Sequence, residues 1–216
     1  MAKLKLAKFT TPRGVLVYPH LTEADTKFVK PDGEYHTKFA LDASSKEAKA
    51  LTKQLEAIMD EYIESNPEEL TQAKLKKAGR ADLYEEEVDD EGEETGRIVF
   101  KFKLKAKVVT KTRSWNQKPR LFDGNAKLIE SEVNVWTGSE AKISAEVFPY
   151  YMESTKQFGL SLRCLAVQIL TMVSGSGVNA SDFGFGEEDD SYSDDSSAGN
   201  NGFEPEAGEA GDEGEF

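Results

Sequence analysis

From Arg97 to Lys107 the chain alternates without a break. Ile98, Phe100, Phe102, Leu104 and Ala106 fall on one side; Val99, Lys101, Lys103, Lys105 and Lys107 fall on the other. A period of two sustained this long puts successive side chains on opposite faces of an extended strand, and no helix reproduces it. Such a strand belongs in a sheet with one face on a core and the other turned to solvent or to an anion. The rest of the fold has to be built around it.

Other segments fit a mainly β body. Residues 3–9 and 13–18 read as short strands, with Leu4 and Leu6 sharing one face and Val15 and Val17 another. Pro31-Asp32-Gly33 signals a turn, and Tyr35 to Leu41 alternates again. The period then changes. Ser44 with Glu47 forms a capping box, and Ala48, Leu51, Leu55, Ile58 and Tyr62 recur at helical spacing, which predicts a helix to about Ser65. Asn66-Pro67 opens a shorter helix that stops near Gly79. Residues 82–94 hold nine acidic side chains and no basic one, and read as a mobile loop. Turn chemistry fills 112–123; strands are expected at 126–136, 141–148 and 159–173, the last two separated by Pro149-Tyr150-Tyr151. One substantial helix among about six short strands indicates an α+β or predominantly β domain, most simply a small barrel.

Charge divides the chain further. Asp182 to Phe216 carries thirteen carboxylates and no Lys or Arg, whereas residues 1–181 hold 27 acidic and 27 basic groups. Sequence rich in Asp, Glu, Gly and Ser buries too little apolar surface to offset its ordering entropy. The expected organisation is a barrel domain over 1–173, a flexible linker over 174–181 and a disordered acidic tail over 182–216. A balanced body with an acidic appendage suggests a body that binds an anion and a tail that imitates it. The single cysteine, Cys164, lies in an apolar run and reads as a core residue in a reduced compartment. No apolar stretch approaches the ~20 residues of a membrane span, so the expected location is the cytoplasm.

Residues 97–127 contain ten Lys or Arg against one Asp, a local charge of +9. Lysines 101, 103, 105 and 107 would project from one strand face at roughly 6.8 Å intervals, close to the phosphate repeat of an extended single strand. A solvated edge strand protected by lysines explains the same pattern equally well. Trp115, between Arg113 and Lys118 in a polar stretch, tips the balance, because single-strand binders combine cations for phosphates with π-faces for bases. For the other aromatics, among them Phe148, Tyr150, Tyr151 and Trp136, a core role is the default.

Catalytic and cofactor signatures are missing. The two histidines, His20 and His36, neighbour no Cys or acidic pair, and no phosphate loop, dinucleotide fingerprint, HExxH or GxSxG occurs. Placing Gly92 at the turn of a calcium loop puts Ile98 where the bidentate Glu belongs. The expectation is a non-enzymatic protein with no metal and no cofactor.

Several features together resemble the single-stranded-DNA-binding proteins of short-tailed, T-seven-type bacteriophages. They are Gly96-Arg-Ile-Val-Phe-Lys-Phe-Lys103, a long helix before that strand, Gly138-Ser139 with Lys142, Pro149-Tyr150 and Gly159, and an acidic end closing on Glu215-Phe216. The sequence departs from the family pattern in its acidic 82–94 segment and in Tyr151-Met152, where the family has Lys-Trp. The resemblance implies an oligonucleotide-binding (OB-fold-like) β-barrel that coats single-stranded DNA in phage replication, recombination or repair. It implies DNA contacts at Lys101, Lys103 and Tyr150, and more weakly at Lys3.

The basic stripe adds Lys105, Lys107, Arg113, Trp115, Lys118 and Arg120 to the expected DNA surface. By resemblance, Asp212, Glu213, Glu215 and Phe216 would contact the replicative DNA polymerase and helicase-primase, and a homodimer is implied although no apolar stripe marks an interface. The competing reading is an acidic interaction module, or a DNA mimic, that captures a basic partner protein.

Overall fold

The computed structural model describes residues 6–27, 29–65, 79–89, 91–131 and 133–173. Within them, β1 (Lys8–Thr10), β2 (Gly14–Asp25) and β3 (Glu34–Asp42) precede helix α1 (Lys46–Ser65). There follow β4 (Gly79–Arg80), β5 (Glu85–Val88), β6 (Glu94–Lys105), β7 (Lys107–Val109), β8 (Ser114–Asn116), β9 (Arg120–Phe122), β10 (Glu140–Met152) and β11 (Gln157–Thr171). The protein is mainly β with one long helix among the described residues. That helix is not long and apolar enough to cross a membrane.

Five strands carry the architecture. β2 pairs with β3, β3 with β6, and β10 with both β11 and β2, all antiparallel, while β6 and β11 pair in parallel. Each of the five thus has two neighbours within the set. The inward faces supply Leu16, Phe39, Leu41, Phe100, Phe102, Ile143, Val147, Leu162, Cys164 and Val167 to one buried cluster. Phe102 meets Phe39 edge-on at 6.0 Å and Phe9 at 6.3 Å. Side chains of this size each contribute about 1.5–3 kcal/mol on full burial, which is why the period-two pattern dictates which way β6 faces. Packing at the β2–β10 corner leaves no room for a side chain at residue 14, since a methyl there would lie 2.4 Å from the Phe39 ring.

The amphipathic stripe of α1 closes the core with Ala48, Leu51, Leu55 and Met59, all buried. Met59, not Ile58, fills the fourth position; Ile58 is only partly buried. The cap also sits one residue later than the spacing predicts. The Ser45 hydroxyl accepts the Ala48 N–H at 3.1 Å, whereas the Ser44 hydroxyl donates to Asp42 Oδ1 at 2.7 Å. An upstream carboxylate competes for Ser44 and hands the cap to its neighbour.

Other boundaries differ from expectation for reasons that lie in pairing. The acidic 82–94 segment is not a loop throughout: β5 lies within it, pairing antiparallel with β6 in the register Glu85↔Val99 and Glu86↔Ile98. The turn-rich 112–123 stretch contains β8 and β9. Among the described residues of 126–136 no strand forms; Asp123 instead caps a tight turn through the Asn125 and Lys127 N–H groups, and a bridge joins Leu128 to Phe122. Pro149 does not end β10, which continues to Met152 with Tyr150 opposite Gly159. Of the strand expected at 3–9, residues 3–5 lie outside the described residues and β1 begins at Lys8; of the second helix expected from Asn66 to near Gly79, residues 66–78 lie outside them too, and Gly79 opens β4. Cys164 is buried as expected, and burial pushes its thiol up to about 12, far from a reactive thiolate.

Candidate nucleic-acid interface

The alternation of β6 survives folding over its second half. Phe100, Phe102 and Leu104 are buried and Lys101, Lys103 and Lys105 exposed. Cross-strand neighbours extend the cationic face, because β3 sets Lys38 opposite Lys101 and β11 sets Arg163 opposite Lys103. Like charges placed directly opposite repel unless an anion lies between them.

Lys101, Lys103 and Tyr150 line one groove of about 540 Å³ with Tyr84, Glu85, Met152 and Gln157. Three of the residues singled out in the sequence therefore converge, although Tyr150 lies far along the chain from the lysines. The groove also explains the Tyr150–Gly159 spacing. A methyl at residue 159 would stand 2.5 Å from the Tyr150 Cζ and hydroxyl oxygen. Only glycine lets the phenol ring lie across β11, half-buried, with its position set by its strand partner.

Glu85 occupies the cationic end of this groove. Its carboxylate is hydrogen-bonded by Lys101 and lies 3.8 Å from the Lys38 ammonium. The Lys101 hydrogen bond is the main cause that holds the Glu85 carboxyl below its usual range. One anion thus sits between two opposed lysines. Next along β5, Glu87 binds Arg97.

Comparison with known proteins places the chain in a family. The model of the family described as single-stranded DNA-binding protein of bacteriophage T7 matches residues 9–172. The chain belongs to this family. The crystal structure of gp2.5, the single-stranded DNA-binding protein encoded by bacteriophage T7, superposes with a TM-score of 0.64 at 18% identity, covering 88% of this chain and 99% of that one. The single-stranded DNA-binding protein of bacteriophage Enc34 gives a TM-score of 0.51 in its C-terminally truncated form, at 10% identity over 77% of this chain and 87% of that one. The Enc34 protein in complex with single-stranded DNA gives 0.51 at 11% identity, covering 77% and 88%. At these identities the likeness is one of fold. No curated protein sequence matched significantly. As a member of a family of DNA-binding proteins, the chain is a binding protein and not an enzyme.

The remaining basic and aromatic residues expected to meet DNA in this phage-family protein are distributed beyond the groove. Lys105 continues the exposed face of β6. Lys107 does not: Ala106 breaks the alternation, donating its N–H to Gly33 O at 3.0 Å, and Lys107 opens β7 with its ammonium 3.3 Å from Asp32. β7 and β8 form a hairpin with Trp115 opposite Val108. Trp115 is 38% exposed, and the Arg113 guanidinium stacks 4.8 Å from its ring centroid. Lys118 lines the concavity at the hairpin base and, with Arg120, a second one beside Leu121 and Leu128. The groove and the hairpin thus hold their aromatic rings in separate places. Lys3, Asp212, Glu213, Glu215 and Phe216 lie outside the described residues.

Sequence reasoning passes over Tyr84, Glu85 and Arg163 and gives Phe148 a core role by default. Tyr84 and Glu85 fall in a stretch that reads as a loop, and only the β5 register turns them toward Lys101. Phe148 is exposed and carries the Arg163 guanidinium 5.1 Å from its ring. An alternation count from Phe148 through Tyr150 to Met152 finds that face once Pro149 is allowed inside the strand.

Proposed function

We propose that this protein coats single-stranded DNA without sequence preference during phage DNA replication, recombination or repair. The observation that carries the reading is the groove in which Lys101 and Lys103 face a ring platform at Tyr150. The circuit of five mutually paired strands is consistent with a closed OB-fold barrel, whose outer face is a common seat for unpaired nucleotides. In this reading Lys101, Lys103 and Lys105 neutralise successive phosphates and Tyr150 stacks a base. The strand then runs toward Trp115 and Arg113, with Lys107, Lys118 and Arg120 beside the path and Lys3 a further contact. Stacking at about 1–3 kcal/mol per base is indifferent to base identity, which suits a coating protein.

The acidic tail, with Asp212, Glu213, Glu215 and Phe216, competes with DNA for this surface and, once displaced, recruits the replicative polymerase and helicase-primase. Its carboxylates resemble phosphates in charge, and its aromatic residue resembles a base in shape. A homodimer would arise from the same tail engaging the groove of a second copy.

Titration of the full chain with poly-dT and with duplex DNA, followed by tryptophan quenching, tests the reading. Saturable binding to poly-dT with little to duplex at matched salt is expected. No affinity for poly-dT, with capture of a basic protein instead, would favour an acidic interaction module.

A further inference from the structure

His20 and His36, sixteen residues apart with no acidic pair beside either in the sequence, become neighbours in the fold. The β2–β3 register sets them directly opposite one another, with their ring centroids 4.7 Å apart. Asp25, at the end of β2, reaches back to the same spot, its Oδ2 3.2 Å from His36 Nε2. One ligand atom from each of the three residues lies within 4.8 Å of the other two.

We propose that His20, Asp25 and His36 form a binding site for a late first-row divalent metal ion, Zn2+ or a close relative. Two imidazoles and one carboxylate suit this class, whereas Mg2+ and Ca2+ prefer all-oxygen shells. Bonds of about 2.0–2.2 Å at tetrahedral angles separate ligand atoms by roughly 3.3 Å. The His36–Asp25 pair already has that separation, and the ligand atom of the exposed His20 lies within 4.8 Å of both, so completing the set requires His20 to draw closer. The carboxylate is also oriented from behind, because its other oxygen, Oδ1, accepts the Lys27 N–H at 2.8 Å. Support of this kind from a backbone donor is what holds a metal-ligating carboxylate in place. Three protein ligands leave a fourth position toward the solvent on the His20 side.

The location gives the site a consequence. His36 lies directly opposite Lys103, a lysine of the proposed DNA groove. Lys103 weakens the site for a dication, which Asp25 offsets; once bound, the dication and Lys103 together favour an anion at the open position. A phosphate oxygen of the bound strand would serve there, so the bound metal should strengthen DNA binding; this last step rests on the proposed function, whereas metal binding itself does not.

The test is titration of the full chain with ZnCl2 and with CoCl2 in excess MgCl2, which fills sites made of carboxylates alone. Imidazole resonances are followed by NMR, and the same titrations are repeated on His20→Ala and His36→Ala. One equivalent of Zn2+ bound, both imidazoles shifting together, visible cobalt bands of a nitrogen-ligated site, and at least tenfold weaker binding in each variant are expected. Imidazole signals unmoved by Zn2+ in the unmodified protein would overturn the proposal, even if a variant failed to fold. So would binding that both variants retain. Because no DNA is present, failure here leaves the single-strand reading standing; metal binding without any gain in poly-dT affinity would overturn only the phosphate step.

Discussion

Tyr150 and Gly159 act as one unit: the ring can lie against the opposite strand because residue 159 has no side chain. Tyr150→Ala should weaken binding to labelled oligo-dT by about 1–3 kcal/mol, and Tyr150→Phe should retain most of it, as read by fluorescence anisotropy. Gly159→Val should reproduce the loss without removing any aromatic residue, because it displaces the Tyr150 ring. Glu85 works in the opposite sense. It is half-exposed, so its ion pairs with Lys101 and Lys38 contribute only about 0.5–1 kcal/mol. DNA must nevertheless displace it to reach those lysines. Glu85→Gln should therefore tighten oligo-dT binding about two- to five-fold at low salt, with the gain shrinking as salt screens the pair. Unchanged affinity in Glu85→Gln would show that the strand does not pass over Lys101.

Strand β6 and helix α1 divide labour, and substitutions separate them. β6 presents charge on a face whose reverse side is anchored by Phe100 and Phe102. Replacing Lys101 or Lys103 with Gln should reduce the salt slope of binding by roughly 0.7 for each phosphate no longer neutralised, with unfolding stability nearly unchanged. α1 lines no part of the groove and is fixed at its start by the Ser45 cap. Ser45→Ala should cost about 1 kcal/mol in urea unfolding and leave oligo-dT affinity alone. A Ser44→Ala change should cost less, since that hydroxyl serves Asp42 and not the helix. A variant of α1 that altered DNA affinity without altering stability would contradict this division.

Across the entire chain, the body is charge-balanced and the acidic excess lies in residues 182–216. Removing those residues should raise poly-dT affinity, most at low salt, and steepen the salt dependence, since a competing tail is itself released by salt; equal affinity at low salt would remove the competition from the account. Much of this protein was legible in one dimension. The two-residue period of β6, the helical stripe of α1 and the sign of each charged segment are local properties, fixed by side-chain spacing along a few consecutive residues. Local rules failed where a pairing partner intervened: Glu85 joined β6, Pro149 continued β10, and 126–136 turned back on Asp123 instead of extending. The groove, the Tyr150–Gly159 platform and the His20–Asp25–His36 cluster depend on which strand lies beside which, and in what register. A shift of one residue in that register would turn each of these side chains to the opposite face. Spacing along the chain carries no record of such meetings, because the energy that fixes them comes from a core shared by all five strands.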